Sequence, residues 1–373
     1  MAERVQDRLP RYSTGDPGLD RRLMEVLRDI GATEDVDQLF EILVSGVRLA
    51  TDGADRLDLK ITNAALKEMR EAFGVFAPFQ AVPKVTIFGS ARTLPEDPLY
   101  TQTRDLAATL ANCGWMVVTG AGPGIMAAGA EGAGPANSIG VNIRLPFEPP
   151  NPALVADPKL VTMKYFFTRK LMLMKESAGF AVLPGGFGTL DEAFELLTLL
   201  QTGKAAPAPI VLLDVPGGTY WRAWDRFIRQ EVVARGLVSP DDVLLCRITD
   251  DVASATDEIL GFFRNYHSIR YVGNRLVVRL RAAPTPEELE QLDAEFADIR
   301  PRGRIEAVAP LPPEVADDDH LDLPRVALQF DRMNHGRLRA LVDALNRLPS
   351  APPLAAPDSD SATAAGSPPD EDG

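Results

Sequence analysis

The run Leu183-Pro184-Gly185-Gly186-Phe187-Gly188-Thr189-Leu190-Asp191-Glu192 brings three glycines, a hydroxyl and two carboxylates to one junction. The apolar stretch Ala178 to Leu183 reads as a buried strand and the residues after Gly188 as a helix, so the glycines form a strand-to-helix turn. Gly185, Gly186 and Gly188 allow backbone N–H groups to approach an anion closely, and Thr189 is suited to cap a helix whose N-terminus carries partial positive charge. The chemistry this predicts is a phosphate seat with an acid beside it. Glu192 is expected on the first helical turn, where the helix dipole should keep it ionised. Asp191 and Glu195 read more simply as charges complementing the same helix end or facing solvent. Arg169 and Lys170 lie on the preceding helical stretch, one strand away from Glu192, so the two elements can converge on one ligand.

Further motifs fall at the ends of other apolar runs. Gly89-Ser90 follows the strand that begins at Lys84, and Gly120, Gly122 and Gly124 follow Trp115 to Thr119. Gly89, Ser90, Gly122 and Gly124 join Lys170, Gly185, Gly186, Gly188, Thr189 and Asp191 as candidate ligand contacts. Short apolar runs at Lys84–Gly89, Trp115–Thr119, Ser138–Ile143, Ala178–Leu183 and Ile210–Leu213 alternate with amphipathic helices, which means an α/β fold: a doubly wound parallel sheet of Rossmann-like type. Such sheets bind ligands at the carboxyl ends of their strands. Gly120, Gly122 and Gly124 do not form a dinucleotide fingerprint, because the third glycine comes one position too soon and the strand to Ile143 leads into Arg144 rather than an acid. Met163, Phe166, Met172 and Met174 are candidates for a base pocket, with core packing the plainer role. Trp115, Trp221 and Trp224 read as core residues.

Four segments together resemble the LOG ("Lonely Guy") family of nucleoside 5′-monophosphate phosphoribohydrolases, often mislabelled as lysine decarboxylases. They are Val85 to Arg92, Thr119 to Met126, Ser138 to Ile143, and Pro-Gly-Gly-x-Gly-Thr-x-x-Glu with its upstream Arg-Lys pair. The resemblance covers roughly residues 81–268. One departure is Ala127, which follows Met126 where many relatives place a glutamate. The resemblance implies cleavage of the N-glycosidic bond of a purine or cytokinin nucleoside 5′-monophosphate such as AMP, with Glu192 and Arg169 as catalytic residues and Lys170 as an auxiliary contact. It also implies at least a homodimer, often with a site completed by the neighbouring subunit. The alternative is a nucleotide-binding sensor or carrier without turnover. Lysine decarboxylation is a poor third, since no lysine and pyridinium partner mark a pyridoxal phosphate site.

The chain has 373 residues and is 45% hydrophobic, enough for one sizeable core with appendages. A net charge of −14 argues against a nucleic-acid polymer as partner, although a nucleotide needs only local positive charge. Cys113 and Cys246 are the only cysteines and read as reduced core thiols. His267, His320 and His335 are scattered, so neither a metal nor another cofactor is expected. With no signal-like N-terminus and no run of about 18 apolar residues, a cytoplasmic protein without membrane contact is expected.

The regions outside the motifs divide by pattern. Residues 1–80 read as a helical arm, with helices from Asp35 to Leu49 and Leu57 to Phe76 preceded by helical spacing at Leu23, Val26, Leu27 and Ile30. Its apolar positions could cover the main domain, 81–268, or a second subunit. Residues 269–349 read as a small α+β module: a strand Tyr271–Leu280, a helix Thr285–Ile299, strands Gly303–Val308 and Val326–Phe330, and a helix Arg337–Leu348. The proline-rich loop Leu145–Pro158 reads as an ordered rim over the site, with a simple surface connection as the alternative, and 350–373 as a disordered acidic tail.

Overall fold

The computed structural model describes residues 11–144 and 157–353. Nearly all of the expected rim loop, and the tail beyond Pro353, lie outside the described residues.

The chain divides into two compact units, residues 1–67 and 68–373, so the division falls inside a helix and not at residue 80. In the first unit α1 (Pro17–Asp29) and α2 (Val36–Thr51) pack around Leu27, Phe40 and Val44. Asp16 caps α1 by accepting from the N–H groups of Gly18 and Leu19. The third helix, α3 (Arg56–Phe76), runs across the division.

The second unit holds a seven-stranded sheet in the order β4-β3-β2-β1-β5-β6-β7. Its strands are β1 (Lys84–Phe88), β2 (Met116–Thr119), β3 (Ser138–Ile143), β4 (Leu160–Met163), β5 (Gly179–Val182), β6 (Ile210–Leu213) and β7 (Arg247–Thr249). Every pairing is parallel. The helices between them are α4 (Pro98–Asn112), α5 (Ile125–Ala133), α6 (Phe166–Lys175), α7 (Phe187–Gln201), α8 (Tyr220–Phe227) and α9 (Val252–Gly261). β1 to β3 are buried almost throughout, as a sheet covered on both faces requires. The chain winds outward from β1 to β4 and then returns to place β5 on the other side of β1. The strand order therefore reverses between β1 and β5, and the crevice at their carboxyl ends is where such sheets bind ligands. The fold is the doubly wound, Rossmann-like α/β arrangement.

Residues beyond α9 form a second, four-stranded antiparallel sheet, β10-β11-β9-β8. The strand expected over Tyr271–Leu280 is a hairpin, β8 (Tyr266–Val272) and β9 (Arg275–Leu280), turning at Gly273 with φ +59°. The sheet continues with β10 (Glu306–Ala307) and β11 (Arg325–Leu328). Around it lie α10 (Pro286–Glu295), a short α11 (Pro312–Ala316) and α12 (His335–Arg347). One apolar cluster contains Val85, Ile87 and Val117 of the first sheet together with Leu276, Val278 and Val326 of the second. A boundary at 268 would cut through β8. Ser350 donates to Glu288, Arg264 donates to the carbonyl of Pro352, and Ala351 is buried, so the tail's first residues are packed rather than free.

Arg279 and Arg325 stand opposite each other on β9 and β11, where like charges repel. Glu314 of α11 is fully buried and its Oε1 accepts from Arg279 Nη2 at 2.8 Å and Arg325 Nη1 at 2.7 Å. Glu314→Ala would remove the carboxylate the two buried guanidinium groups share, leaving Arg279 with Asp319 and Arg325 with the carbonyls of His320 and Leu323, with an expected loss of about 2–4 kcal/mol in denaturant unfolding. A loss below about 1 kcal/mol would contradict this role for Glu314.

Candidate active site

Three loops meet at the switch point. Gly89 and Ser90 leave β1, residues 120–124 leave β2, and Leu183 to Gly186 leave β5. The N–H of Ser90 donates to the carbonyl of Pro184 at 3.2 Å, and its carbonyl accepts from Ile125 N–H at 3.0 Å. These approaches dictate small residues. A Cβ on Gly124, which has φ +67°, would lie 2.3 Å from the Ser90 carbonyl oxygen, and one on Gly185 would lie 2.1 Å from Thr189 Oγ1. A Cβ on Gly89 would strike Ile125, and one on Gly122 would strike Met126. Gly186 and Gly188 differ: apart from the adjoining chain, none of the described residues lies within 4 Å of a Cβ at either. The open space is in front of the helix end.

That end is α7, capped at Gly186 without a side-chain hydrogen bond. Thr189 is therefore not the cap. It is the third residue of the helix, buried, with its hydroxyl against Gly185. Glu192 is the sixth residue, beyond the first turn where the dipole acts most strongly. It is only 8% exposed, and burial pushes its carboxyl from 4.5 to about 7 against the opposing pull of Lys170 and Arg169. The expectation of a first-turn carboxylate kept ionised by the dipole is thus corrected: desolvation outweighs the favourable charges. Glu192 Oε2 is buried with no hydrogen-bond partner among the described residues, and Lys170 Nζ stands 4.0 Å away.

Arg169 and Lys170 arrive on α6, which packs beside β3 and β4. The Arg169 guanidinium donates from Nε to the carbonyl of Val141 at 2.8 Å and from Nη2 to that of Gly120 at 3.3 Å. A Cβ on Gly120 would lie 1.9 Å from Nη2, so that glycine makes room for the guanidinium. Burial lowers the arginine's pKa and Glu192 opposes this; an arginine nevertheless stays protonated at neutral pH. Two of its five N–H donors are engaged by the carbonyls, which leaves capacity for a ligand. Lys170 donates to Asp191 at 2.7 Å and to Glu195 at 3.4 Å. Despite desolvation, these partners and Glu192 hold its pKa above the ordinary lysine value. Asp191 is thus the exposed partner of Lys170 and Glu195 a more distant one.

The structure brings Arg169, Lys170, Asp191 and Glu192 together by direct contact or charge, and joins the loops of Ser90, Gly124 and Gly185 through backbone hydrogen bonds. Met163, Met172 and Met174 are buried in the core, whereas Phe166 is exposed. Trp115 and Trp221 are core residues and Trp224 packs against that core. Two participants escaped the sequence. Tyr220 donates its hydroxyl to the Gly185 carbonyl at 2.7 Å, and Ala121 adopts φ +55° beside Gly120. A non-glycine residue in that region gives no composition signal. Both cysteines are free thiols, and burial pushes Cys246 up to about 12, which makes it inert. Among the described residues no group of His, Cys, Asp and Glu could hold a metal, and no helix is long and apolar enough to cross a membrane.

Residues 123–259 match the protein family described as "Possible lysine decarboxylase". A cytokinin riboside 5′-monophosphate phosphoribohydrolase of Arabidopsis thaliana is 40% identical over 72 residues, 19% of this chain and 32% of that protein. A probable enzyme of the same description from Oryza sativa subsp. japonica matches to the same extent. The chain spans about a third of the length of these curated relatives. Among solved structures, the molybdenum cofactor binding protein of Rippkaea orientalis aligns at 19% identity and a TM-score of 0.34 over 47% of this chain and 94% of that one. DNA processing protein A of Helicobacter pylori aligns at 16% identity and a TM-score of 0.35 over 48% and 81%.

The Glu192 carboxyl gives a stability signature whose sign follows from its shift. Its pKa in the folded chain, about 7, lies above the ordinary 4.5, so the folded state holds the proton more tightly. That contribution is complete below the ordinary value and is lost as pH rises through about 7. Glu192→Gln should therefore raise stability relative to the parent at about pH 8, by on the order of 3 kcal/mol, with the gain vanishing near about pH 4. Melting curves of the two proteins across this range check it; a gain independent of pH would exclude the buried, titrating carboxyl.

Proposed function

We propose, from the match of residues 123–259 to the family described as possible lysine decarboxylases and from the similarity to LOG-type enzymes, that this chain is a nucleoside 5′-monophosphate phosphoribohydrolase. It cleaves the N-glycosidic bond of a purine or cytokinin nucleotide with water, giving the free base and ribose 5-phosphate. The observation that carries this reading is the buried, unsatisfied carboxyl oxygen of Glu192 beside Arg169 and Lys170, behind a helix end kept bare at Gly186 and Gly188.

The 5′-phosphate sits against the N–H groups of Gly186 to Thr189 and the dipole of α7. Seating this remote group aligns the ribose, so its binding energy is used at the reacting carbon. As the bond from C1′ to the base breaks, positive charge develops on the sugar. The Glu192 carboxylate stabilises that charge and orients the attacking water. Arg169, fixed by the carbonyls of Gly120 and Val141, uses its remaining donors on the departing base or the ribose phosphate. No cofactor enters the reaction as proposed.

Exposed apolar side chains border the site, Phe166, Phe167 and Leu171 on α6 and Phe187 and Phe194 on α7, with Phe187 93% exposed. A second copy of the chain covering them is part of the proposal; sedimentation as a monomer would remove it. The two free thiols fit a cytoplasmic setting.

Chromatography of incubations with AMP and with adenosine tests the function directly: adenine should appear from AMP far faster than from adenosine. Equal turnover would dismiss the phosphate seat, and no turnover of any purine monophosphate would leave a nucleotide-binding sensor as the surviving reading. Glu192→Gln should lower kcat about a hundredfold or more with little change in nucleotide affinity, and Arg169→Ala should lower turnover with weaker binding. Because the carboxylate is the working form, kcat/KM should rise with pH through about 7 to a plateau. A profile that falls across the same range would assign Glu192 the opposite role, proton donor.

A further inference from the structure

Helix α6 has no cap of its own: its N-cap residue, Tyr165, makes no side-chain hydrogen bond to the helix end. The N–H groups that lead the chain into a helix nevertheless need acceptors, more so where they are partly buried. The acceptor comes from about a hundred residues earlier in the chain. Glu68 on α3 accepts from the N–H of Lys164 at 3.0 Å through Oε1, and from the N–H of Tyr165 at 3.4 Å and the hydroxyl of Thr168 at 2.6 Å through Oε2. Glu68 is 8% exposed and Thr168 fully buried. A carboxylate at this end of α6 also meets the positive end of the helix dipole.

Arg169 follows Thr168, and its own N–H closes the first turn on the Tyr165 carbonyl at 3.3 Å. The turn that Glu68 holds is therefore the turn from which the Arg169 side chain departs toward Val141 and Gly120. We infer that Glu68 is a positioning residue for Arg169, setting the guanidinium against the carbonyls of Gly120 and Val141 and beside Glu192. The inference rests on the proposed reading for its effect on turnover, but not for its effect on the helix end. Glu68 does not touch substrate. It acts through the backbone of α6, and misplacing a catalytic group by about 1 Å can cost on the order of a hundredfold in rate.

Glutamine is the informative conservative variant. Its amide oxygen can accept from Lys164 N–H while its NH2 donates to Thr168 Oγ1, leaving the Thr168 hydroxyl to donate to the Tyr165 carbonyl, already 2.9 Å away. Alanine removes the acceptor of the Lys164 and Tyr165 N–H groups and leaves the Thr168 hydroxyl only the Tyr165 carbonyl.

The experiment compares the full-length parent, Glu68→Ala, Glu68→Gln, Arg169→Ala and the Glu68→Ala/Arg169→Ala double variant. With AMP, Glu68→Ala should lower kcat by about tenfold or more while KM moves less, and Glu68→Gln should recover most of the loss. In the Arg169→Ala background, Glu68→Ala should add almost nothing, because the group it positions is already gone. A full multiplicative loss in that background, or an unchanged kcat in Glu68→Ala, overturns the inference. Amide hydrogen exchange at residues 164–169 gives a readout that needs no activity: protection should fall in Glu68→Ala and persist in Glu68→Gln. Unchanged exchange in Glu68→Ala overturns the inference even in an active enzyme. Changed exchange in a parent that turns over no nucleoside monophosphate supports the helix-end role, removes its catalytic consequence and defeats the proposed function alone.

Discussion

The backbone of Ser90 is the constraint on which the site depends. Through its N–H it holds the loop after β5, and through its carbonyl it holds the start of α5 after β2. Three strand ends of a parallel sheet are thereby drawn together where the strand order reverses. The cost is steric, and glycine meets it: Gly124 and Gly185 pass so close to Ser90 and Thr189 that any side chain would collide. The glycines of the most conspicuous motif therefore divide by cause. Gly185 is required by the protein's own packing, whereas Gly186 and Gly188 face open space and are explained by neither packing nor a positive φ.

Charge at the site is local and opposed to that of the whole chain. The protein carries −14, yet its candidate acid lies between a guanidinium and an ammonium. Lys170 is largely committed to Asp191, which is nearer than Glu192 by the difference between 2.7 and 4.0 Å. Arg169 is committed in part to carbonyls. Neither cation therefore overcomes the desolvation of Glu192, and its carboxyl remains poised near neutrality rather than held as a fixed charge.

The alternation of apolar runs with amphipathic helices made the doubly wound sheet legible, and β3 and β6 begin and end where the sequence places them. Two strands were not legible. β4 is only half buried along its length, and β7 is a three-residue edge strand with an exposed arginine, so neither carries an apolar run long enough to count. The strand read over Tyr271–Leu280 takes in β9 and only the last two residues of β8, and so runs through the turn of a hairpin. Its signal was the Gly273-Asn274 pair, a two-residue hairpin turn. Arg169, Lys170 and Glu192 were legible as types at a spacing. Glu68 and Tyr220 were not, since their relation to the site exists only after α3 and α8 have packed.

The C-terminal sheet also bears on the site. Asn265, fully buried between α9 and β8, donates its N–H to the side chain of Asn346 on α12, which in turn donates to the Phe262 carbonyl. α12 also meets the first sheet's layer: Gly336 lies against the backbone of Asp241, and the His335 ring lies against Gly203, just beyond the end of α7. α7 is thus held at both ends, by the Ser90-centred loops where it carries Glu192 and by α12 where it stops. Contacts at both ends oppose movement of the helix along its axis, which favours a constant distance between the acid on its second turn and Arg169 and Lys170. The sheet that reads as an appendage therefore contributes to the placement of Glu192, through packing that acts on the helix and not through any residue of its own at the site.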